Sequence, residues 1–340
     1  VVMMRRWIWG SALLVWFLIW LNSHFSTDAR SVTIYCSHDR SHSQQILDRF
    51  EKETGIVVDA IFDTEATKTV GLTERIRSER ERPRCDVHWS NEPLRAVQLA
   101  QEGHYDTLPE GAGLGIDSRW RDAGDRWCGF AARARVVATH PESLASTDIP
   151  RSVEGLADPS LSGKVVMADP RFGTTGSHLA ILRATLGAQR YRELLQGWKD
   201  NRIQIASSNS SSRDRVLSGE AWVGLTDTDD VEVVRRRGAS IGEGFLPEDG
   251  VILLPNVVAV VKGCPHPEEA DELARWLLRE EVEEWLANSS SRQIPLRTEV
   301  PVIASGLSLS RFEPLEIDWS EAAGQLHEAV REAERILLNP

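Results

Sequence analysis

Gly219-Glu-Ala-Trp-Val-Gly-Leu-Thr-Asp-Thr-Asp-Asp230 has two unlike halves. Ala221 to Leu225 is a short apolar run, the composition of a buried strand. Thr226 to Asp230 then sets three carboxylates, Asp227, Asp229 and Asp230, among two hydroxyl side chains. In an open α/β sheet, ligands sit beyond the carboxyl ends of the strands, so a strand that ends in oxygen donors suggests a binding mouth. Clustered carboxylates raise one another's pKa unless a cation or basic side chains neutralise them. The same residues also suit a solvated acidic turn that caps a following helix, Val231 to Arg237, with Asp229 or Asp230 as N-cap. Both readings stand on this stretch alone.

Outward from it, the chain alternates strands and helices. Upstream, Ile203 to Ala206 reads as a strand followed by the polar turn Ser207 to Arg213. Before that, Lys164 to Ala168 is a strand that leads through Asp169-Pro-Arg-Phe-Gly-Thr-Thr-Gly-Ser-His178 into a helix over Leu179 to Leu186. A Gly/Thr/Ser-rich turn at that point offers free N–H groups to an anion or carboxylate, or is a plain helix start. Trp127 to Thr139 is a strand on which Arg133 and Arg135 face one side.

At the other end, strand Ser31 to Cys36, helix Ser43 to Thr54 and strand Ile56 to Phe62 form a βαβ unit, with a break at Ser37-His38-Asp39. A charged helix to about Glu81, the strand Cys85 to Trp89 and the helix Leu94 to Glu102, capped by Ser90-Asn-Glu-Pro93, follow. Downstream, Gly250 to Val261 reads as a return path, Pro267 to Ala287 as one or two amphipathic helices, and Trp319 to Leu338 as a terminal helix. The fold class is α/β, with a parallel sheet and helices on both faces.

A chain of 340 residues that is 41% hydrophobic suggests two domains. Its net charge of −12 supplies no basic field and excludes nucleic acid as a partner. Arg5-Arg6 precede Trp7 to Leu21, a run without charge that is short for a spanning helix; residues 1–29 read as an export signal or an uncleaved N-terminal anchor. The four cysteines, 36, 85, 128 and 264, are too scattered for a zinc motif and carry no expected function. No Gly-x-Ser-x-Gly elbow and no His-x-x-x-His metalloprotease site is expected, so a hydrolase is disfavoured and no enzyme activity is expected.

Six segments occur in a telling order: Val32-Thr-Ile-Tyr-Cys-Ser37, Phe50-Glu-Lys-Glu-Thr-Gly-Ile56, Asp86-Val-His-Trp-Ser-Asn-Glu92, Arg133-Ala-Arg-Val136, Pro170-Arg-Phe-Gly-Thr-Thr175 and Pro255-Asn-Val-Val-Ala-Val-Val-Lys-Gly-Cys-Pro-His-Pro267. Together, over about residues 31–300, they resemble the extracellular solute-binding proteins of ABC importers. The likeness is to the ferric-iron-binding group within the type 2 periplasmic-binding-protein fold. It implies a two-lobed α/β protein with the ligand in the cleft between the lobes: lobe 1 at 30–132 plus 253–305, lobe 2 at 133–252, and a C-terminal helical segment, 306–340, packing on lobe 2. It also implies a monomer outside the cytoplasm, in the periplasm, that delivers its solute to an ABC permease.

The resemblance places ligand donors at His38 or Asp39 after the first strand and at Asn91 or Glu92 after the third, beside Ser37. The companion-anion turn falls on Gly173, Thr174, Thr175 and Gly176. The tyrosine pair that binds iron in this group falls on Asp229 and Asp230, so phenolate ligation there is impossible; the chain's tyrosines are 35, 105 and 191. Two ligand classes remain open. In one, Asp39, Glu92, Asp229 and Asp230, with Asp227 or Glu65, hold ferric iron or another hard cation with a companion anion. In the other, Thr174, Thr175, Ser177, Asn209 and Arg213 hold a small anion or zwitterion such as a phosphonate, whose amine meets Asp227 or Asp229.

Overall fold

The structure, a computed structural model, describes residues 30–63, 70–145, 148–303 and 306–338. β1 (Ser31–Cys36), α1 (Arg40–Thr54) and β2 (Val57–Phe62) open the chain as a parallel βαβ unit. α1 turns Ile46, Leu47 and Phe50 into the core, a burial worth about 1.5–3 kcal/mol per side chain. Gly55 ends it in the left-handed region at φ 73°, donating to Glu51 O. α2 (Val70–Ser78), β3 (Val87–Ser90) and α3 (Pro93–Gln101) continue the pattern, and β3 pairs parallel with β1.

β4 (Cys128–Thr139) is buried along its whole length and serves two groups of strands. Beyond it come β5 (Val165–Ala168), α4 (Gly173–Asp200), β6 (Gln204–Ala206), α5 (Asn209–Leu217), β7 (Val223–Asp227), α6 (Thr228–Arg235), β8 (Gly242–Gly244) and β9 (Leu253–Val260). The sheet order is β2-β1-β3-β9-β4-β7-β5-β6, with β8 also on β4. Cys128 to Ala134 pair with β9, whereas Arg135 to Thr139 pair with β7. The chain thus crosses between the groups on β4 and returns on β9.

A bulge interrupts β4 between Phe130 and Ala132, and Ala131 sits at φ 40°. Its N–H donates to Glu283 Oε1 at 2.9 Å, and its carbonyl accepts from the Asn256 side chain. Glu283 is fully buried; it also accepts from Leu296 N and from Arg297, both at 2.7 Å. The strained residue is held from both sides, next to the two arginines that follow.

α7 (Pro267–Leu277) and α8 (Glu280–Asn288) cover the β9 side, and α9 (Trp319–Ala333) closes the chain. α9 touches both groups. Tyr191 Oη of α4 donates to Ala329 O at 2.9 Å, while Gln98 of α3 donates to Ala323 O at 2.9 Å.

Three helix starts differ from the sequence expectation. Gly173 to His178 is the first part of α4 rather than a turn, because those residues continue straight into the apolar face of the helix. Most of the polar turn Ser207 to Arg213 is α5, whose N-cap Ser208 accepts from Ser211 N at 3.1 Å. β7 extends to Asp227, so Asp227 takes the N-cap position of α6, and Asp229 and Asp230 lie in its first turn. β8, three residues with no alternation to signal them, is an addition.

Candidate functional site

The carboxyl ends of β1, β3, β5, β6 and β7 all lead to one pocket. Asp39 lines it after β1 and Asn91 after β3; the other side carries Asp169, Gly173 and Thr174 after β5, Ser207 to Ser210 after β6, and Asp227, Asp229 and Asp230 after β7. The starts of α4, α5 and α6 converge here, so free N–H groups and three helix dipoles favour negative charge. The cavity encloses about 70 Å³, room for a few waters, one metal ion with an oxygen shell, or a small oxyanion.

Asp227 is the anchor of the cluster. Its Oδ1 accepts from Arg135 Nη1 at 2.7 Å, and its Oδ2 from Thr174 Oγ1 at 2.6 Å and Asn209 Nδ2 at 3.1 Å. Its oxygens are used up. Asp230 is similarly engaged, accepting from Ser210 Oγ and Thr226 Oγ1, each at 2.9 Å. Asp229 accepts from the Asp230 N–H at 3.1 Å and otherwise faces Arg133 Nη1 at 3.5 Å.

The Asp229 carboxyl is pushed up to about 7, by burial first and then by Asp230, Asp227 and Asp39, against the opposing pull of Arg133. Burial also raises Asp230, with Asp227 adding and Arg213 opposing. Oxygens of Asp227, Asp229 and Asp230 lie within 4.8 Å of one another, close enough to hold one metal ion. Such a site is electrostatically unsatisfied at Asp229, and a bound cation would relieve it.

The profile of the bacterial extracellular solute-binding protein family matches residues 98–314. The chain belongs to that family. Its fold superposes on iron-bound HitA from Pseudomonas aeruginosa with a TM-score of 0.82 at 22% identity, covering 89% of this chain and 99% of HitA. It is similarly close to AfuA from Actinobacillus pleuropneumoniae, solved with exogenous fructose-6-phosphate bound: TM-score 0.78, 17% identity, 91% of this chain and 99% of AfuA. An uncharacterised protein of Haemophilus influenzae is 27% identical over 163 residues, 45% of this chain; the match spans about half, 47%, of that relative's length. The α/β architecture is therefore the two-lobed one of periplasmic binding proteins.

In this solute-binding protein the expected donors take different places. Asp39, Asn91, Thr174, Asn209, Asp227, Asp229 and Asp230 come together in the pocket. Glu92 does not line it: its carboxylate accepts from Leu94 N at 3.0 Å and Arg95 N at 2.9 Å as the N-cap of α3, and burial raises its pKa. Arg213 turns to Asp214 at 2.8 Å and to the Asp230 backbone oxygen at 3.1 Å. Ser37 donates to Asp63, and His38 stacks on Trp89 at 5.4 Å. Thr175 lies behind Thr174, donating to Asn209 Oδ1 at 3.2 Å, and a side chain at Gly176 would crowd Pro170 O and touch the α9 side chains Leu326 and Val330. Glu65 and residues 1–29 lie outside the described residues.

The sequence reading had no site role for Arg133, Asp169 or Phe172, all of which line the pocket. The signal was available for Arg133: two arginines alternate on an otherwise apolar strand, and a charge on a buried strand needs a partner. Contrary to the expectation of no His-x-x-x-His spacing, His38-Asp-Arg-Ser-His42 is an i, i+4 histidine pair; the ring centroids stand 6.1 Å apart, tilted, and burial lowers the pKa of His42. Among the described residues, no helix is long and apolar enough to cross a membrane.

Proposed function

We propose that this chain is the substrate-binding component of an ABC importer. It works outside the cytoplasm, captures ferric iron or another hard cation with a small companion anion in the interlobe pocket, and delivers it to a membrane permease. The observation that carries the reading is the oxygen-only donor set. Asp227, Asp229 and Asp230 stand within one ion's reach, with Asp39 on the same pocket, and hard oxygens suit a hard cation. Asp229 is the first ligand, since Asp227 and Asp230 already have their oxygens engaged, and Asp39 adds a carboxylate on the same pocket. Thr174, Asn209 and the N-termini of α4 and α5 form the cradle for the companion anion. In this reading lobe 1 comprises 30–132 plus 253–305 and lobe 2 comprises 133–252. Closure of one on the other is a population shift driven by contacts that only the closed form makes.

A second reading is a small anionic or zwitterionic solute such as a phosphonate. It is favoured by Arg133 and Arg135, which already supply positive charge among the carboxylates, and AfuA offers a precedent of a phosphate-bearing ligand on this fold. Thermal melts with ferric nitrilotriacetate, inorganic phosphate and aminoethylphosphonate separate the two. The cation reading expects stabilisation by the ferric probe that is lost in the Asp39→Ala/Asp229→Ala double variant. An undiminished ferric shift in that variant contradicts the site assignment, and a shift with phosphonate alone favours the second reading.

A further inference from the structure

The three arginines around the carboxylates are held in very different ways. Arg135 is fixed, with Nη1 at 2.7 Å from Asp227, 3.2 Å from Thr174 and 3.4 Å from Asn209. Arg213 is tied to Asp214 at 2.8 and 3.0 Å and to the Asp230 backbone oxygen. Arg133 meets its carboxylates at longer range, 3.4 Å to Asp227 and 3.5 Å to Asp229. Its Nε has no hydrogen-bond partner among the described residues, although the side chain is buried. Its Nη2 donates to the backbone oxygen of Asn91, in the loop that follows β3.

That placement makes one guanidinium a link across the cleft. Asn91 belongs to the strand group of β1 and β3, Asp227 and Asp229 to that of β5 and β7, and Arg133 stands on the crossing strand between them. The planar fork of arginine can reach both sides at once, which an ammonium cannot. A second feature of the same pocket is the Asn91 side-chain oxygen. The residue is 5% exposed, and this oxygen is buried with no hydrogen-bond partner among the described residues.

We infer that Arg133 is a tethered cation that draws the ligand-free cleft together, and that an incoming metal ion must displace it from Asp229. The first half stands on the contacts above; the second rests on the cation reading of the proposed function. Once the guanidinium swings aside, Asp229, Asp39 and the Asn91 side-chain oxygen become a set of oxygens drawn from both sides of the cleft. Displacement also sets specificity. The pull of Asp229 on an ion scales with the ion's charge, so a trivalent ion overcomes the tethered charge more readily than calcium or magnesium does. Arg133 thereby discriminates by charge, in a site whose carboxylates alone would also accept divalent ions.

The test compares the wild-type protein with Arg133→Gln and Arg133→Lys in two measurements. Small-angle X-ray scattering without metal reads the cleft, and titration with ferric nitrilotriacetate or calcium reads affinity. Arg133→Gln is expected to have a larger metal-free radius of gyration, which the ferric ion reverses, to bind ferric ion about tenfold tighter, and to begin to bind calcium. Arg133→Lys keeps the charge without the fork and should fall between; if Arg133→Gln fails to fold, the lysine variant carries the same comparison. An unchanged radius together with weaker ferric binding overturns the proposal and makes Arg133 a group that holds the ligand. If no variant binds ferric ion, the ferric reading fails, and the scattering alone decides: expansion supports the link across the cleft, and none overturns it.

Discussion

Asp229→Asn should make the ligand-free protein more stable while removing its affinity for the cation. The Asp229 carboxyl is raised from 3.8 to about 7 by burial and by its acidic neighbours. The folded state therefore binds its proton more tightly than the unfolded state does. Its contribution to stability is fully present below about pH 4 and is lost as pH rises through about 7. Near neutral pH, keeping this charge costs the fold on the order of 3–4 kcal/mol at 1.36 kcal/mol per unit. The asparagine gives up the Arg133 contact, but that contact is long, at 3.5 Å, and Arg133 keeps Asp227. A net gain of about 2 kcal/mol remains, or a rise in Tm of a few degrees for a chain of this size. Calorimetric melts of metal-free protein at about pH 3.5 and 7.5 provide the assay. The variant should melt with the wild type at the lower pH and above it at the higher, and should show no ferric-dependent shift at either. A variant that melts below the wild type at the higher pH would refute the reasoning, because Asp229 would then be a net stabilising charge.

Three further outcomes follow from single contacts. Glu283→Ala strips the Ala131 and Leu296 N–H groups of their acceptor and leaves Arg297 buried without its carboxylate, so a urea melt should show a loss of about 3–5 kcal/mol. Thr174→Val removes the 2.6 Å bond to Asp227 and the acceptor for Asn209 Nδ2; it should cost about 1–3 kcal/mol in the same assay and weaken ligand binding in a titration by at least about tenfold. Asp249 is raised to about 6, mainly by burial, while accepting from Val153 N at 2.7 Å. Its sign is that of Asp229: stability present at low pH is lost as pH rises through about 6. Asp249→Asn keeps the acceptor and, after discounting for solvent screening, should gain about 1 kcal/mol near neutral pH and nothing near pH 4, read from paired melts.

Much of this architecture was legible because its signals are local. The strands β1, β3 and β7 show as β-branched or apolar runs, and the oxygens of Asp227, Asp229 and Asp230 come directly after one of them. What could not be read depends on residues far apart in the chain. Glu92 and Asp39 both follow a parallel strand and look equivalent as donors. Only the fold shows that Glu92 is spent on the first N–H groups of α3, although Pro93 at the first helical position was a hint of a cap. Arg133 and Arg135 were visible as paired charges on a strand, yet their partner Asp227 lies more than ninety residues on, in a register no local pattern specifies. The start of α4 was misread because Phe172 offers no side-chain cap, so Gly173-Thr-Thr-Gly-Ser177 has the composition of a turn while forming a helix. The bulge at Ala131 leaves no trace in the run Gly129-Phe-Ala-Ala132; the acceptor that fixes it sits 152 positions away on α8.

Native mass spectrometry of the protein purified without chelator tests the central claim most directly. The account predicts a retained mass matching a ferric ion with a small companion anion, present in the wild type and absent from the Asp39→Ala/Asp229→Ala variant. A retained organic or phosphorus-containing mass without metal, unaffected by that double substitution, would contradict it.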